Sequence, residues 1–268
     1  MKPILAQECH SCSGEEARVE VAGDFLAARS CVCRTACTIC RGQGFVFSRG
    51  DDGYDRCAPC SCAALGERLT AFNRARLPAH YLTATLPSFE TRRRSQQIRE
   101  ALTRANRFVN EYLAGQRGIV FSGPCGTGKT HLSVSVLRRL TLRRGVSSRF
   151  IEFKHLIAEL REGFVDPKRA PALMGPLVAV PVLVIDELGK GTQREWEQDV
   201  LDELVSRRYN AQRTTLFTTN FRLREPEAGR DDLRARIGER IVSRLTQMCD
   251  FCEVEGDDYR VLTAQGRR

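Results

Sequence analysis

Apolar residues return at two different periods along this chain, and each change of period marks an element. Gly118-Ile119-Val120-Phe121 is a short, nearly unbroken apolar run of the strand type, and Leu132 to Leu142 reads as an amphipathic helix behind it. Upstream, Ile98, Leu102, Ala105, Val109, Tyr112 and Leu113 recur at helical spacing from Gln96 onward, and the pattern closes at Gly115. This predicts a helix whose stripe packs on the core. Downstream come a strand over Arg149 to Phe153, a helix over Lys154 to Arg161, and the apolar run "VPVLVIDELG" from Val180 to Gly189. A helix over Arg194 to Asn210 and the strand "TTLFTTNF", ending with Asn220, follow, and "CDFCEV" alternates like a further strand. Alternation of this kind argues for an α/β fold with a parallel sheet flanked by helices and a ligand at the carboxyl ends of the strands. The segment "LPAHYLTATLPSFE", Leu77 to Glu90, has two prolines and mixed polarity and reads as an extended linker leading into that site.

The strand, loop and helix around residue 125 carry chemistry. Gly123-Pro124-Cys125-Gly126-Thr127-Gly128-Lys129-Thr130, with His131 beside it, fits G-x-x-x-x-G-K-[ST]. Its glycines let backbone N–H groups wrap a polyphosphate while Lys129 and the Thr130 hydroxyl reach the β/γ-phosphates and Mg²⁺. The apolar run before Asp186-Glu187 is a fully buried strand that delivers two carboxylates at its end. Asp186 is placed to hold Mg²⁺ through its water shell, and Glu187 to orient and polarise an attacking water. Asn220, at the tip of the next strand, has the donor and acceptor needed to bond both a γ-phosphate and that water. These residues point to hydrolysis of a nucleoside triphosphate with Mg²⁺, and the resemblance described below implies ATP.

Cysteine usage separates a first domain from the rest. Nine of the twelve cysteines precede residue 63: Cys9-x2-Cys12, Cys31-x-Cys33, Cys37-x2-Cys40 and Cys57-x2-Cys60-x-Cys62. A C-x2-C knuckle points two thiolates at one ion, and a second knuckle completes a tetrahedral Zn²⁺ site in a segment with little apolar core. Cys37, Cys40, Cys57 and Cys60 make one such site, with Cys62 as the alternative to Cys57 or Cys60, and Cys9, Cys12, Cys31 and Cys33 make a second. Cys249-x2-Cys252 lies in a strand pattern with no second pair and reads as structural. The 268 residues suffice for one substantial core and a smaller unit. The N-terminal apolar run is too short for a signal peptide and no stretch is long enough to span a bilayer, so a cytoplasmic protein without a membrane partner is expected. The formal charge of +9, with Arg92-Arg93-Arg94, Arg138-Arg139, Arg143-Arg144 and Arg207-Arg208, suggests an acidic polymer as partner.

Together the phosphate loop, "VLVIDELG", "TTLFTTNF" and the later "RIGERIVSRLTQMC" resemble the AAA+ ATPases of the DnaC/DnaI helicase-loader group, with the IstB transposition ATPases as near relatives. The resemblance runs from about Leu77 to Leu262. It implies an AAA+ P-loop NTPase core with a reduced or absent lid, since the chain ends shortly after Arg260. It also implies that Asn220 is sensor 1, that Arg244 is an arginine finger acting on a neighbour's ATP, and that Arg260 in "DDYR" is sensor 2. By the same resemblance Lys154 to Leu177 contributes to single-stranded DNA binding, the protein is a homo-oligomer when ATP-bound, and the partner is a hexameric, DnaB-type replicative helicase gripped by the amino-terminal domain. The domain reading is 1–66 zinc-binding, 67–95 linker and 96–268 ATPase. A transposition helper ATPase and a zinc-dependent adaptor with a merely structural nucleotide site stay open beside the loader. Intact Asp186, Glu187, Asn220 and Arg244 count against the adaptor.

Overall fold

A computed structural model describes Cys12 and residues 15–32, 37, 39–41, 43–50, 52–60, 62–92, 94–162, 169–190, 194–222 and 232–261. The chain folds as two units, Met1–Leu82 with Arg138–Ser147, and Thr83–Leu137 with Ser148–Arg268.

The first unit contains two antiparallel hairpins, β1 (Ala17–Ala22) with β2 (Phe25–Ser30) and β3 (Phe45–Arg49) with β4 (Asp55–Pro59). Helix α1 (Ala63–Ala75) starts directly after Cys62 and packs on β2. Its Phe72 and Ala75 are fully buried, as is Leu77 beyond it. The Asn73 amide pairs with the β2 backbone like another strand, accepting from Ala28 N at 2.7 Å and donating to Ala28 O at 3.2 Å. Residues 67–95, expected as linker, therefore begin inside a packed helix. The apolar signal of α1 is weak in sequence because small and charged residues fill most of its turns.

The second unit begins with α2 (Gln96–Asn110), capped by the Ser95 hydroxyl, which accepts from Ile98 N at 3.2 Å. It continues through β5 (Gly118–Ser122), α3 (Lys129–Arg144), whose residues from Arg138 onward group with the first unit, β6 (Ser148–Glu152), α4 (Phe153–Glu162), α5 (Arg169–Ala179) and β7 (Val182–Asp186). Then come α6 (Glu195–Asn210), β8 (Thr214–Thr219), α7 (Leu233–Ile237), α8 (Glu239–Met248) and β9 (Cys249–Glu253). The five strands form one parallel sheet in the order β6-β7-β8-β5-β9. Every residue of β5, β7 and β8 is buried, as expected for strands covered on both faces. The chain leaves β5 for the far edge and returns through β7 and β8 to β5's side, so the carboxyl end of β5 faces the switch point where such sheets bind ligands.

Helix α3 departs from its sequence reading. Instead of one buried stripe, Leu132, Val134, Val136, Leu137 and Leu140 are all 0% exposed, and so are Ser133 and Thr141. A helix buried on nearly every side loses the polar face that amphipathic reasoning looks for. No helix among the described residues is long and apolar enough to cross a membrane.

Candidate nucleotide site and metal centre

Ser122, buried at the end of β5, hands the chain to a loop that ends where α3 begins at Lys129, so the first N–H groups of α3 have no intrahelical acceptor. Two glycines in the loop are dictated by space and backbone together. Gly128 has φ +103°, and a Cβ there would sit 2.5 Å from the Phe89 ring; Gly126 has φ +75°, and a Cβ there would sit 1.9 Å from the Asp258 carboxyl carbon. Lys129 curls into the cradle, its Nζ donating to Gly123 O at 2.8 Å and Pro124 O at 2.6 Å. Burial draws the lysine down to about 8. These are interactions that phosphate oxygens would replace, so the residues fit a polyphosphate. Thr127 Oγ1 donates to Pro124 O at 3.0 Å, while Cys125 is exposed. His131 Nε2 lies 3.1 Å from Thr85 O, and its ring meets Phe89 edge-on at 5.3 Å. Burial is what holds this imidazole below its ordinary titration range. The segment read as an extended linker thus includes a 3₁₀ turn at Ala79–Tyr81 and delivers Thr85 and Phe89 onto the phosphate loop.

Across the loop, Asp186 ends β7 and is 6% exposed. Its Oδ1 accepts from Thr130 Oγ1 at 2.9 Å and from Thr218 Oγ1 at 2.5 Å. Burial raises this carboxyl, and the two hydroxyls oppose the rise. A threonine hydroxyl and a carboxylate at this separation suit Mg²⁺, an oxygen-seeking cation that keeps several of its waters. Glu187 follows in the left-handed region at φ +57°, with its N–H donating to Thr218 Oγ1 at 3.0 Å. Its carboxylate accepts from Lys190 Nζ at 2.7 Å on both oxygens. Glu152 pairs with Asp186 in the β6–β7 register, and burial, then Glu187, raises its carboxyl. Asn220 is the first residue beyond β8 and is exposed.

The arginines are distributed differently from their sequence reading. Arg244, expected to project across a subunit boundary, lies within α8 and donates through Nη1 to Asp202 Oδ1 of α6 at 2.6 Å, its side chain 20% exposed. Arg240, one turn earlier, approaches the same carboxylate at 3.5 Å and is 75% exposed. Arg260 binds Asp258 through both Nε and Nη2, at 3.1 and 2.8 Å. The strap that carries Asp258 is stitched to the phosphate loop, because Tyr259 N donates to Gly126 O at 3.0 Å. Arg94 donates to Asp257 O at 3.0 Å and lies over the Tyr259 ring at 5.4 Å. Arg208 is no surface charge at all. It is fully buried and donates to Thr215 Oγ1 and to the carbonyls of Leu177, Val180 and Thr214.

In the first unit, the sulfurs of Cys37, Cys40, Cys60 and Cys62 all lie within 4.8 Å of one another. The Cys37–Cys60 separation is 3.6 Å and the Cys40–Cys62 separation 3.2 Å. Zn–S bonds of about 2.3 Å place tetrahedral sulfurs about 3.8 Å apart, so this set fits zinc. The N–H groups of Cys40 and Ile39 pull the Cys37 thiol below its ordinary value, and Gly44 N donates to Cys40 Sγ at 3.3 Å. The hydrogen bond with Cys40 pushes Cys62 up to about 12, an opposition that a shared cation would relieve. Cys57, expected as a ligand, is instead exposed on β4 opposite Phe47. Cys57 sits inside β4, every residue of which is exposed, whereas Cys60 and Cys62 lie past the strand end and converge on the first knuckle. Of the second set, Cys12 and Cys31 are buried against each other, and Cys9 and Cys33 lie outside the described residues.

Comparison with known proteins assigns this arrangement. The family model of the IstB-like ATP binding protein matches residues 68–266. The chain belongs to that family. Over 146 residues this IstB-like chain is 30% identical to the replicative helicase loader DnaC of Escherichia coli strain K12, a match covering 54% of the chain and 56% of that relative. The chain thus spans about half the length of the curated relatives it matches. The crystal structure of the DnaC helicase loader superposes with a TM-score of 0.59 at 28% identity, covering 66% of this chain and 99% of that one. That of DnaI gives 0.55 at 25% identity, covering 68% and 93%. The sheet and helices of the second unit are therefore those of the AAA+ P-loop fold, as the sequence resemblance implied.

The IstB-like core also contains residues that sequence reasoning passed over. Thr218 touches both acidic residues at once, and the signal for it was a hydroxyl inside a strand that is otherwise wholly buried. Lys190, Asp202 and Asp258 each engage one residue already singled out. Nothing in linear spacing marks them, because each partnership is made across a turn or between elements.

Proposed function

We propose that this chain is an ATP-dependent DNA-replication factor that binds ATP and single-stranded DNA and loads a hexameric replicative helicase. The observation that carries the reading is the placement of Asp186. A hydroxyl of the phosphate-loop helix and a hydroxyl of the neighbouring strand both bond its carboxylate, in a chain similar to a helicase loader. In this reading the loop N–H groups and Lys129 bind the phosphates, and Glu187 orients the attacking water. Asn220 bonds the γ-phosphate and that water. Mg²⁺, held by Thr130 and Asp186, would neutralise charge on the phosphates. Arg244 would complete the site of a neighbouring copy after exchanging Asp202 for the phosphate charge, and Arg260 would contact this chain's own nucleotide. The span Lys154 to Leu177, which takes in most of α4 and α5, would line the DNA track. The cysteine cluster would hold zinc and thereby the fold of the first unit, which would grip the helicase.

Mixing Arg244→Ala with Lys129→Ala tests the oligomeric part, since each variant alone should be nearly inactive. Together they should regain ATPase activity where an intact site meets an intact arginine. A mixture that co-assembles yet stays inactive refutes action in trans. A second reading, a transposition helper ATPase, is favoured by the IstB-like family match. Affinity capture from the native cell separates the two by whether a replicative helicase or a transposase copurifies.

A further inference from the structure

The turn after β7 is held more firmly than a surface loop needs to be. Lys190 N closes it on Glu187 O at 3.1 Å, Leu188 N donates to Thr218 O at 2.8 Å, and Thr219 Oγ1 donates to Leu188 O at 2.8 Å. Leu188 is fully buried, and Gly189 has φ +84°. This bracing fixes where the Lys190 side chain starts, and its ammonium lies 2.7 Å from each Glu187 oxygen. The carboxylate is 27% exposed and the lysine 52%, so the pair stands at the rim of the site. A carboxylate chelating one ammonium turns toward it the lone pairs with which it would take hold of a water.

We propose that Lys190 is a positioning residue that withholds Glu187 from the attacking water until the nucleotide's phosphates compete for its ammonium. This rests on the reading of Glu187 as the water-orienting carboxylate. The pair is not isolated: Lys190 feels the charge of Glu152 as well as that of Glu187. An exposed ion pair of this kind is a modest restraint, so it sets a rate and does not abolish one.

Steady-state hydrolysis by Lys190→Ala, Lys190→Arg and the wild type tests the proposal. Lys190→Ala should raise kcat two- to five-fold with KM for ATP within two-fold of wild type. Lys190→Arg should bring the rate back down, and adding Glu187→Gln to Lys190→Ala should erase the gain. Where the wild type hydrolyses ATP, a kcat at or below wild type in Lys190→Ala, or a gain that survives Glu187→Gln, overturns the clamp. A second measurement keeps this failure apart from failure of the ATPase reading. The ¹⁵N resonance of the Lys190 ammonium, assigned by its loss in Lys190→Arg, should move on Glu187→Gln and again on adding a non-hydrolysable ATP analogue with Mg²⁺. If no variant hydrolyses ATP but both movements occur, the ATPase reading fails and the clamp stands. If the resonance ignores Glu187→Gln, the clamp fails whatever the rates.

Discussion

Replacing Arg208 by methionine should destabilise the second unit by about 4 kcal/mol, although Arg208 touches neither nucleotide nor metal residues. The side chain is 0% exposed and its guanidinium bonds Leu177 O at 2.6 Å, Val180 O at 2.9 Å, Thr214 O at 2.6 Å and Thr215 Oγ1 at 2.9 Å. The Leu177 carbonyl is in the last turn of α5, where helix carbonyls lack intrahelical donors and a cation is favoured. Methionine fills most of the volume but donates nothing, and each of four stranded acceptors costs on the order of 1 kcal/mol. Urea unfolding followed by Trp196, the only tryptophan of the chain, reports on this unit. With a slope of about 2 kcal/mol per molar urea, the midpoint should fall by about 2 M. Arg208→Lys should fall in between, because a single ammonium cannot span the same fork. A midpoint within about 0.3 M of wild type for Arg208→Met would refute the claim that this guanidinium ties α5 to β8.

Zinc analysis of single variants should find one ion retained in Cys57→Ser and lost in Cys37→Ser or Cys62→Ser; the reverse pattern would restore Cys57 as a ligand. Gly128→Ala should weaken ATP binding by calorimetry at least ten-fold, about 1.4 kcal/mol. Adding Phe89→Ala should recover only part of this, because the φ of +103° persists after the ring contact is gone. Thiol titration should show Cys125 reacting in the native state and protected by Mg²⁺-ATP, while Cys249 and Cys252 react only on unfolding. Burial pushes Cys252 up to about 11 and Cys249 further, so raising the pH to 9 should not expose either as a thiolate. Fast native-state modification of Cys252 would contradict its packing in β9.

Much of the core was legible because its signals are local. A phosphate loop needs glycines, a lysine and a hydroxyl at fixed offsets, and a fully buried strand ending in Asp186-Glu187 announces itself as an apolar run. The strands at 118, 182 and 214 and the helices over Lys154 to Arg161 and Arg194 to Asn210 followed from the same kind of pattern. Long-range partnerships were not legible in this way. The sequence placed Arg207-Arg208 among basic patches, yet the backbone turns Arg208 inward to carbonyls some thirty residues away, and composition is blind to direction. Arg244 could be matched to a motif, but only the packing of α8 against α6 puts Asp202 within 2.6 Å of it. Cys57 has knuckle spacing as good as that of Cys60, but the fold keeps Cys57 within the exposed strand β4 and lets Cys60, past its end, join the cluster. The residues that chemistry requires next to one another in sequence were therefore determined by the sequence itself. Which charges are buried, which thiols converge and which distant charges pair were decided by the tertiary structure, because side-chain direction and strand register fix distances that linear spacing does not contain.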